Sequence, residues 1–364
     1  MGLPRSSYVK DGKVAVYHCF TRCVRRAFLC GLDPITGRDY SHRKSWILNR
    51  LRFLASIFAI EVCAYAVMDN HYHSVLRSRP DIVKSWPDRE VAARWLTLFP
   101  NYYRHNSLHD SPSDQQISAL ASDPHRIAVL RKRLSSISWF MGRLNEFIAR
   151  QANTEDNVKG RFWESRFKCR PLLDLAAIAA CMVYVDLNPI RAGLAPTPEL
   201  SDFTSIQQRI RSWHCQRIAQ TNPTSQYMLN HNSNPDPPPA HPSDLSPSWL
   251  CPIHSDANHG GILHLTDTEY FNLVDMSGRI LQSPNRGAID PDLVPILQRI
   301  GINPNAWLDT VSHFDSRFHL AAGVLSSLRS FALMLGKHWL AGFTAARFAF
   351  SDAPPYPALT MPPA

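Results

Sequence analysis

Apolar and polar positions alternate with period two over VAVYHCFTRCV (Val14–Val24), which predicts a strand. SHRKSWILNRLRFLASIF (Ser41–Phe58) changes to helical spacing, with Trp46, Ile47, Leu51, Leu54 and Ala55 on one stripe and Ser41 placed to cap it. AIEVCAYAVM (Ala59–Met68) predicts a second strand. Asp69-Asn70 supplies a turn, and HYHSVLRS (His71–Ser78) a third strand. Helical patterns follow at Asp81–Leu98 and Asp123–Gln151, with a polar insert, Tyr103–Gln116, between them. GRFWESRFKCRPL (Gly160–Leu172) predicts a fourth strand, and Leu172–Leu187 a strong helix stopped by Asn188-Pro189. The order β, α, β-β, α, β, α predicts an α+β domain, a mainly antiparallel sheet with helices packed on it.

The pattern then fails. Residues 220–248, QTNPTSQYMLNHNSNPDPPPAHPSDLSPS, have little to bury and predict a flexible linker. Beyond it, Thr268–Val274, Pro291–Ile300, Asn303–Phe314 and Ser326–Phe343 carry helical patterns, so residues 249–350 are expected to form a small all-α module. Residues 351–364 are a Pro-rich tail expected to be disordered. There is no internal repeat. The expected division is therefore 1–219, linker 220–248, module 249–350 and tail 351–364.

Composition narrows the class. Of 364 residues, 45% are apolar, which argues for a folded protein. No run of about 18 apolar residues suggests a membrane span, and the N-terminus lacks an apolar signal core. The eight cysteines are scattered and never form C-x-x-C, so neither a disulfide framework nor a strong zinc signature is expected. These features fit a cytoplasmic protein. Residues 1–219 hold 32 Lys and Arg against 19 Asp and Glu, a charge of +13, while the remainder holds 7 against 11, a charge of −4. A basic first part points to a polyanionic partner.

The chemistry starts at AVMDNHYHSVL (Ala66–Leu76). His71 and His73 are two residues apart and share a face only on a strand. Two imidazoles on one strand face can share a divalent cation; two polar residues on a strand edge are the plainer reading. In YVDLNPIRAGL, Tyr184 and Asn188 are four apart and lie on one helix face. A phenol beside a metal held by His71 and His73 is a candidate nucleophile, and the Asn188 amide oxygen a candidate third ligand. On spacing alone Tyr184 reads equally as a core tyrosine. In RFWESRFK, the cations Arg161, Arg166 and Lys168 interleave with Phe162, Trp163 and Phe167. Unpaired bases stack on such rings and cations track phosphates, although a half-buried amphipathic strand gives the same pattern.

AYAVMDNHYHSVL, GRFWESRFK and YVDLNPIRAGL, in this order, resemble the REP-associated tyrosine transposases. These are relatives of the single-strand insertion-sequence transposases in the H-U-H nuclease superfamily, where U is a bulky hydrophobe. The resemblance spans residues 12–213. It implies a ferredoxin-like antiparallel sheet, with His71 and His73 as paired metal ligands, Asn188 as a further ligand and Tyr184 as nucleophile. The implied cation is Mg2+ or Mn2+. The implied substrate is single-stranded DNA cut beside a hairpin, held as a 5′-phosphotyrosine and resealed without ATP, as in DNA transposition at REP-like palindromes. Arg161, Arg166, Lys168 and Arg191, with Phe162 and Trp163, are then the expected DNA contacts; Arg22, Arg25 and Arg26 are secondary ones. The expected location is the cytoplasm, at the nucleoid. Whether Tyr184 serves its own subunit or a second copy stays open.

The sequence departs from the family pattern in three places. The middle of H-U-H is Tyr72, whose side chain should point away from the metal face. The distance from the histidines to Tyr184 is long, a length assigned to the polar insert. The C-terminal module is additional to the minimal nuclease and has no assigned mechanism. Two rival readings remain: the same fold binding hairpin DNA or RNA without cleavage, and a metal hydrolase that uses water. Cys251, His254 and His259 approach metal-ligand spacing without a C-x-x-C partner, and Cys19 and Cys23 read as packing residues.

Overall fold

A computed structural model describes residues 3–9, 12–24, 29–33, 36–99, 111–221, 249–254, 260–282 and 292–350. Linker residues 222–248, tail 351–364, insert residues 103–110, Arg25, Arg26 and His259 lie outside the described residues. Four strands form one sheet: β1 (Ala15–Arg22), β2 (Ile60–Val67), β3 (His71–Ser78) and β4 (Lys168–Leu172). Their order is β2-β3-β1-β4, and every neighbouring pair is antiparallel. With many helices around it, this is an α+β architecture. β2 and β3 form a hairpin across Asp69-Asn70, while helix α1 (Arg43–Ile57) carries the chain from β1 past β3 to β2.

Register decides what each face carries. Phe20 pairs with both His73 and Lys168, His18 with Val75 and Arg170, and Ala66 with His73. Directly opposed residues share a face and successive residues alternate. One face therefore presents His18, Phe20, His71, His73, Lys168 and Arg170. The other presents Tyr17, Cys19, Tyr65, Tyr72, Leu76 and Cys169. This second face is buried under Ile47, Leu51 and Leu54 of α1 and Phe140, Leu144 and Ile148 of the long helix α6 (Ile137–Glu155). Tyr72 is there, fully buried, its hydroxyl donating to Asn145 Oδ1 at 2.6 Å.

Several expected elements are shorter than their patterns. α1 starts at Arg43; Ser41 stays outside it, and no side chain caps the helix. Of its stripe, Ile47, Leu51 and Leu54 are buried, while Trp46 and Ala55 are partly so. The pattern at Asp81–Leu98 breaks into α2 (Pro80–Ser85) and α3 (Asp88–Leu98), because Pro87 lacks an N–H and disfavours helix before it. After α4 (Asp114–Ala121), the next pattern breaks at Ser135-Ser136 into α5 (Pro124–Leu134) and α6. There the free carbonyls serve the sheet: Ala59 N–H donates to Leu134 O at 2.9 Å, and Ser78 Oγ to Ser135 O at 2.7 Å. The fourth strand begins only at Lys168. Phe162 and Phe167 are both buried although five residues apart, a spacing that would put them on opposite faces of a strand. The segment loops instead, tied to β1 by Val24 N–H to Phe162 O at 2.8 Å and Glu164 N–H to Arg22 O at 2.9 Å.

The face bearing the histidines is covered by α7 (Leu175–Asp186), which is buried on all sides. A helix that is apolar all round needs neighbours on both sides. The sheet is one; the other is the set of helices beyond residue 249. After α8 (Asn188–Arg191) and α9 (Ser205–Thr221) come α10 (Asp267–Gln282), α11 (Leu293–Arg299), α12 (Pro304–Ser312), α13 (Phe314–Arg317), α14 (Leu325–Met334) and α15 (Phe343–Ala349). The pattern at Ser326–Phe343 breaks after α14, where Gly336 and Gly342 take positive φ of 65° and 113°. Trp307, Phe314, Phe318 and Leu328 share one core with α7, Val75 and Leu172. The chain at Ala322 also bonds to the end of β4: Leu173 N–H donates to Ala322 O at 2.8 Å and Ala322 N–H to Pro171 O at 3.1 Å. No helix among the described residues is long and apolar enough to cross a membrane.

Candidate active site

β3 brings His71 and His73 to one face by its period of two. Their ring centroids are 5.0 Å apart and nearly perpendicular. His71 Nδ1 lies 2.6 Å from Asn70 Oδ1, and His73 Nδ1 lies 2.9 Å from Nε2 of His18, which β1 presents on the same face. Burial lowers His71 to about 4, assisted by the Arg22 charge, and lowers His18 to about 4. His73 is pushed well below the ordinary imidazole value by burial and by the two neighbouring histidines. All three rings are therefore neutral near pH 7, the form that binds metals.

α7 lays Tyr184 across these histidines. Its ring stands edge-on to His73, with centroids 5.6 Å apart, and 6.0 Å from His18. The Tyr184 hydroxyl donates to Asp315 Oδ2 at 3.0 Å. Arg170 Nη1 donates to Asp315 Oδ1 at 2.7 Å, and His18 Nδ1 lies 3.7 Å from that oxygen. Phe314 stacks on the Tyr184 ring at 5.7 Å, and the Arg191 guanidinium lies 5.1 Å from the ring centroid while donating to Ser312 O. Residues 312–319 thus roof the site, leaving Tyr184 7% and His73 2% exposed.

The charges explain the two ionisation shifts. Burial raises the Tyr184 phenol, and the adjacent Asp315 carboxylate raises it further, so the hydroxyl is held neutral. Burial also pushes Asp315 up, but His18, Arg170 and His73 outweigh it and hold the carboxyl well below its usual range. Since His18 is itself uncharged near neutral pH, Arg170 is the positive group that remains against Asp315.

The other expected residues fall in three places. Asn188, at the α7–α8 junction, is buried, and its amide nitrogen donates to the Tyr184 carbonyl at 3.0 Å, so that end points back along the helix. Phe162 is buried in the opposite core, and Trp163 is partly buried, with Nε1 donating to Asn145 O at 2.8 Å. Arg161, Arg166, Lys168 and Arg191 are exposed. Arg166 and Lys168 line a cleft of about 570 Å3 together with Arg5, Phe20, Arg170 and Asp315; Tyr184, His71 and His73 do not line it, and Asp315 links it to the Tyr184 hydroxyl. Lys168 Nζ sits 5.5 Å from the Phe20 centroid. A larger cleft of about 680 Å3 lies against α1 and α6, and no residue of the histidine–tyrosine cluster lines it.

Sequence reasoning missed His18, Arg170 and Asp315. His18 and Arg170 carried a signal, because they hold the same strand parity as their cross-strand partners. Asp315 carried none, since its partners are 131 and 145 residues away. The Cys251 thiol is buried 3.9 Å from Glu61 Oε2, and all eight cysteines are free thiols.

The donor set fits a divalent cation in part. The Nε2 atoms of His71 and His73 are the nitrogens left over from the Nδ1 contacts, an arrangement common in metal-binding imidazoles. Among the described residues, no group of three His, Cys, Asp or Glu is gathered to hold a metal. Two imidazoles suit a cation that completes its shell with water, amide and phosphate oxygens.

No family model and no curated protein matches the chain. A solved structure of a REP-associated tyrosine transposase bound to a REP hairpin is similar to it, with a TM-score of 0.30 and 10% identity over 58% of this chain and 86% of that one.

Proposed function

We propose that this protein is a metal-dependent single-strand DNA endonuclease and strand transferase that acts beside DNA hairpins through a 5′-phosphotyrosine. One observation carries the reading: the Tyr184 ring packs edge-on against His73, on the sheet face that also bears His71. The histidine and tyrosine motifs thus meet at one buried cluster, and Arg166 and Lys168 of the third motif line a cleft that reaches this cluster through Arg170 and Asp315. The antiparallel order β2-β3-β1-β4 supports a ferredoxin-like sheet and, with it, an H-U-H domain.

His71 and His73 would hold Mg2+ or Mn2+, with the Asn188 amide oxygen as a further ligand. The bound cation would polarise the scissile phosphate and offset its developing charge. Arg166 and Lys168 hold the strand along the cleft, and the exposed Arg161 adds a further cation on the same segment. The Tyr184 oxygen bonds to phosphorus while the bond to the 3′ oxygen breaks. The 3′ oxygen takes a proton and becomes a hydroxyl, and the 5′ end stays on Tyr184. Attack by a 3′-hydroxyl on that phosphotyrosine reverses the exchange and reseals the strand. Covalent catalysis of this kind divides one hard step into two easier ones.

The test is covalent trapping. Labelled single-stranded DNA with hairpins from beside the protein's own gene is mixed with protein, with and without Mn2+, and run on a denaturing gel. A Mn2+-dependent shifted band, absent in Tyr184→Phe and His71→Ala, is expected. Cleavage that survives Tyr184→Phe without an adduct would instead identify a water-using hydrolase. The near-complete burial of Tyr184 and His73 favours a second reading, a non-cleaving hairpin binder. Tight binding of DNA or RNA hairpins with no adduct on any cleavable strand would establish it.

A further inference from the structure

The C-terminal helices have no role in the reading above, yet one of their residues touches the atom that would attack. Asp315 Oδ2 accepts the Tyr184 hydroxyl at 3.0 Å, the length of an ordinary hydrogen bond. We propose that Asp315 is the catalytic base that takes the Tyr184 proton, so that residues 249–350 complete the active site. The proposal rests on the phosphotyrosine reading.

The surroundings favour Asp315 over its neighbours. Arg170 and Arg191 are cations with no acceptor atom. His73 Nδ1 is engaged by His18. Phe314 has no polar group. Asp315 is faced by His18 from β1, Arg170 from β4 and Tyr184 from α7. Arg170 fixes one carboxylate oxygen, and its Nε donates to His319 O at 3.3 Å, so both ends of the α13 turn are pinned. The second oxygen is left aimed at the phenol. The arrangement resembles a nucleophile and base oriented by a third group.

The proton balance closes. As the Tyr184 oxygen bonds to phosphorus, its O–H bond breaks and the proton passes to Asp315 Oδ2. The phosphorus–3′-oxygen bond breaks with its electron pair on the 3′ oxygen, which takes a proton from water. In resealing, Asp315 returns its proton to the departing Tyr184 oxygen. A carboxylate is a weak base for a free phenol. The transfer becomes downhill once phosphorus has bonded to that oxygen, so it accompanies bond formation and does not precede it.

The experiment is single-turnover adduct formation by the full chain, with Mn2+ and saturating labelled hairpin oligonucleotide. Asp315→Asn should slow the adduct by about 10²–10⁴-fold, the usual worth of a general base, with no loss of hairpin affinity. Asp315→Ala should be slowed alike and partly restored by added formate, which places a carboxylate in the vacated space. A wild-type rate in Asp315→Asn, a faster one, or a slow Asp315→Ala that formate does not rescue would each overturn the proposal. A matching loss of hairpin affinity would also overturn it. If the wild-type protein forms no adduct, matching Tyr184→Phe, the phosphotyrosine reading has failed and this proposal falls with it.

Discussion

His18 Nε2 lies 2.9 Å from His73 Nδ1, so the two buried rings share one hydrogen and one must donate while the other accepts. With His73 Nδ1 as the donor, the contact fixes the orientation of that ring and leaves its Nε2 unprotonated to bind a cation. Partners of this kind typically account for 10–100-fold in metal affinity. His18→Ala should therefore raise the Kd for Mn2+ by about 10–100-fold while leaving hairpin binding in EDTA unchanged. Calorimetric titration of Mn2+ into both proteins checks this. An unchanged Kd would mean that His73 needs no such support.

Arg166 and Lys168 line the cleft that reaches Asp315, whereas Arg191 is turned onto the Tyr184 ring and Ser312 O. A cation that neutralises a phosphate releases a counterion, and each such contact on a single strand contributes about 0.7 to the slope of log affinity against log salt. Lys168→Ala and Arg166→Ala should each weaken hairpin binding and flatten that slope by about 0.7. Arg191→Ala should leave the slope near its wild-type value. Fluorescence anisotropy across a salt series measures all three. A flattened slope for Arg191 alone would move the strand's path to the other side of the tyrosine.

Asp186, two residues after the candidate nucleophile, is fully buried, with Ser205 Oγ, Ile206 N–H and the Tyr270 hydroxyl donating to it. Burial pushes it up to about 6, against the pull of these hydrogen bonds. The folded state then binds a proton more readily than the unfolded one between pH 4 and pH 6, so stability falls as pH rises through that window. A shift of this size is worth about 3 kcal/mol. Asp186→Asn should remove this component, so that urea unfolding at pH 4.5 and pH 7 differs less than in the wild type. An equal difference in both proteins would place the proton elsewhere.

Much of this arrangement was legible in the chain. Period-two spacing put His71 and His73 on one face and sent Tyr72 to the other, and the order of elements gave the antiparallel sheet. The α7 pattern was legible too, but its consequence was missed: LAAIAACMVYV has no polar side, so it demands a layer above it as well as the sheet below. Length misled at Pro87 and Ser135-Ser136, where local breaks override a continuous stripe. The aromatic residues of RFWESRFK could be read as stacking platforms or as core, and the structure buries Phe162 and Phe167. Asp315 could not be read at all, because a lone aspartate gains meaning only from partners that folding brings to it.

Gly323 tests whether the C-terminal layer positions the site. A Cβ there would lie 2.7 Å from Asp174 Oδ2 and 2.9 Å from Leu173 Cβ, inside normal contact. Asp174 cannot yield freely: Oδ1 caps α7 through Ala177 N–H at 3.0 Å, and Oδ2 accepts Val324 N–H at 2.7 Å. This carboxylate ties the start of the tyrosine helix to the segment that follows Asp315. Overpacking of this sort costs about 1–3 kcal/mol. Gly323→Ala should lower the unfolding free energy by that amount and slow adduct formation, because the roof over Tyr184 shifts. Gly336→Ala, at an open position with positive φ, controls for strain without this contact. If both variants lose stability but only Gly323→Ala loses adduct rate, the Asp174 junction sets the tyrosine's geometry; equal rate losses would assign the effect to general destabilisation.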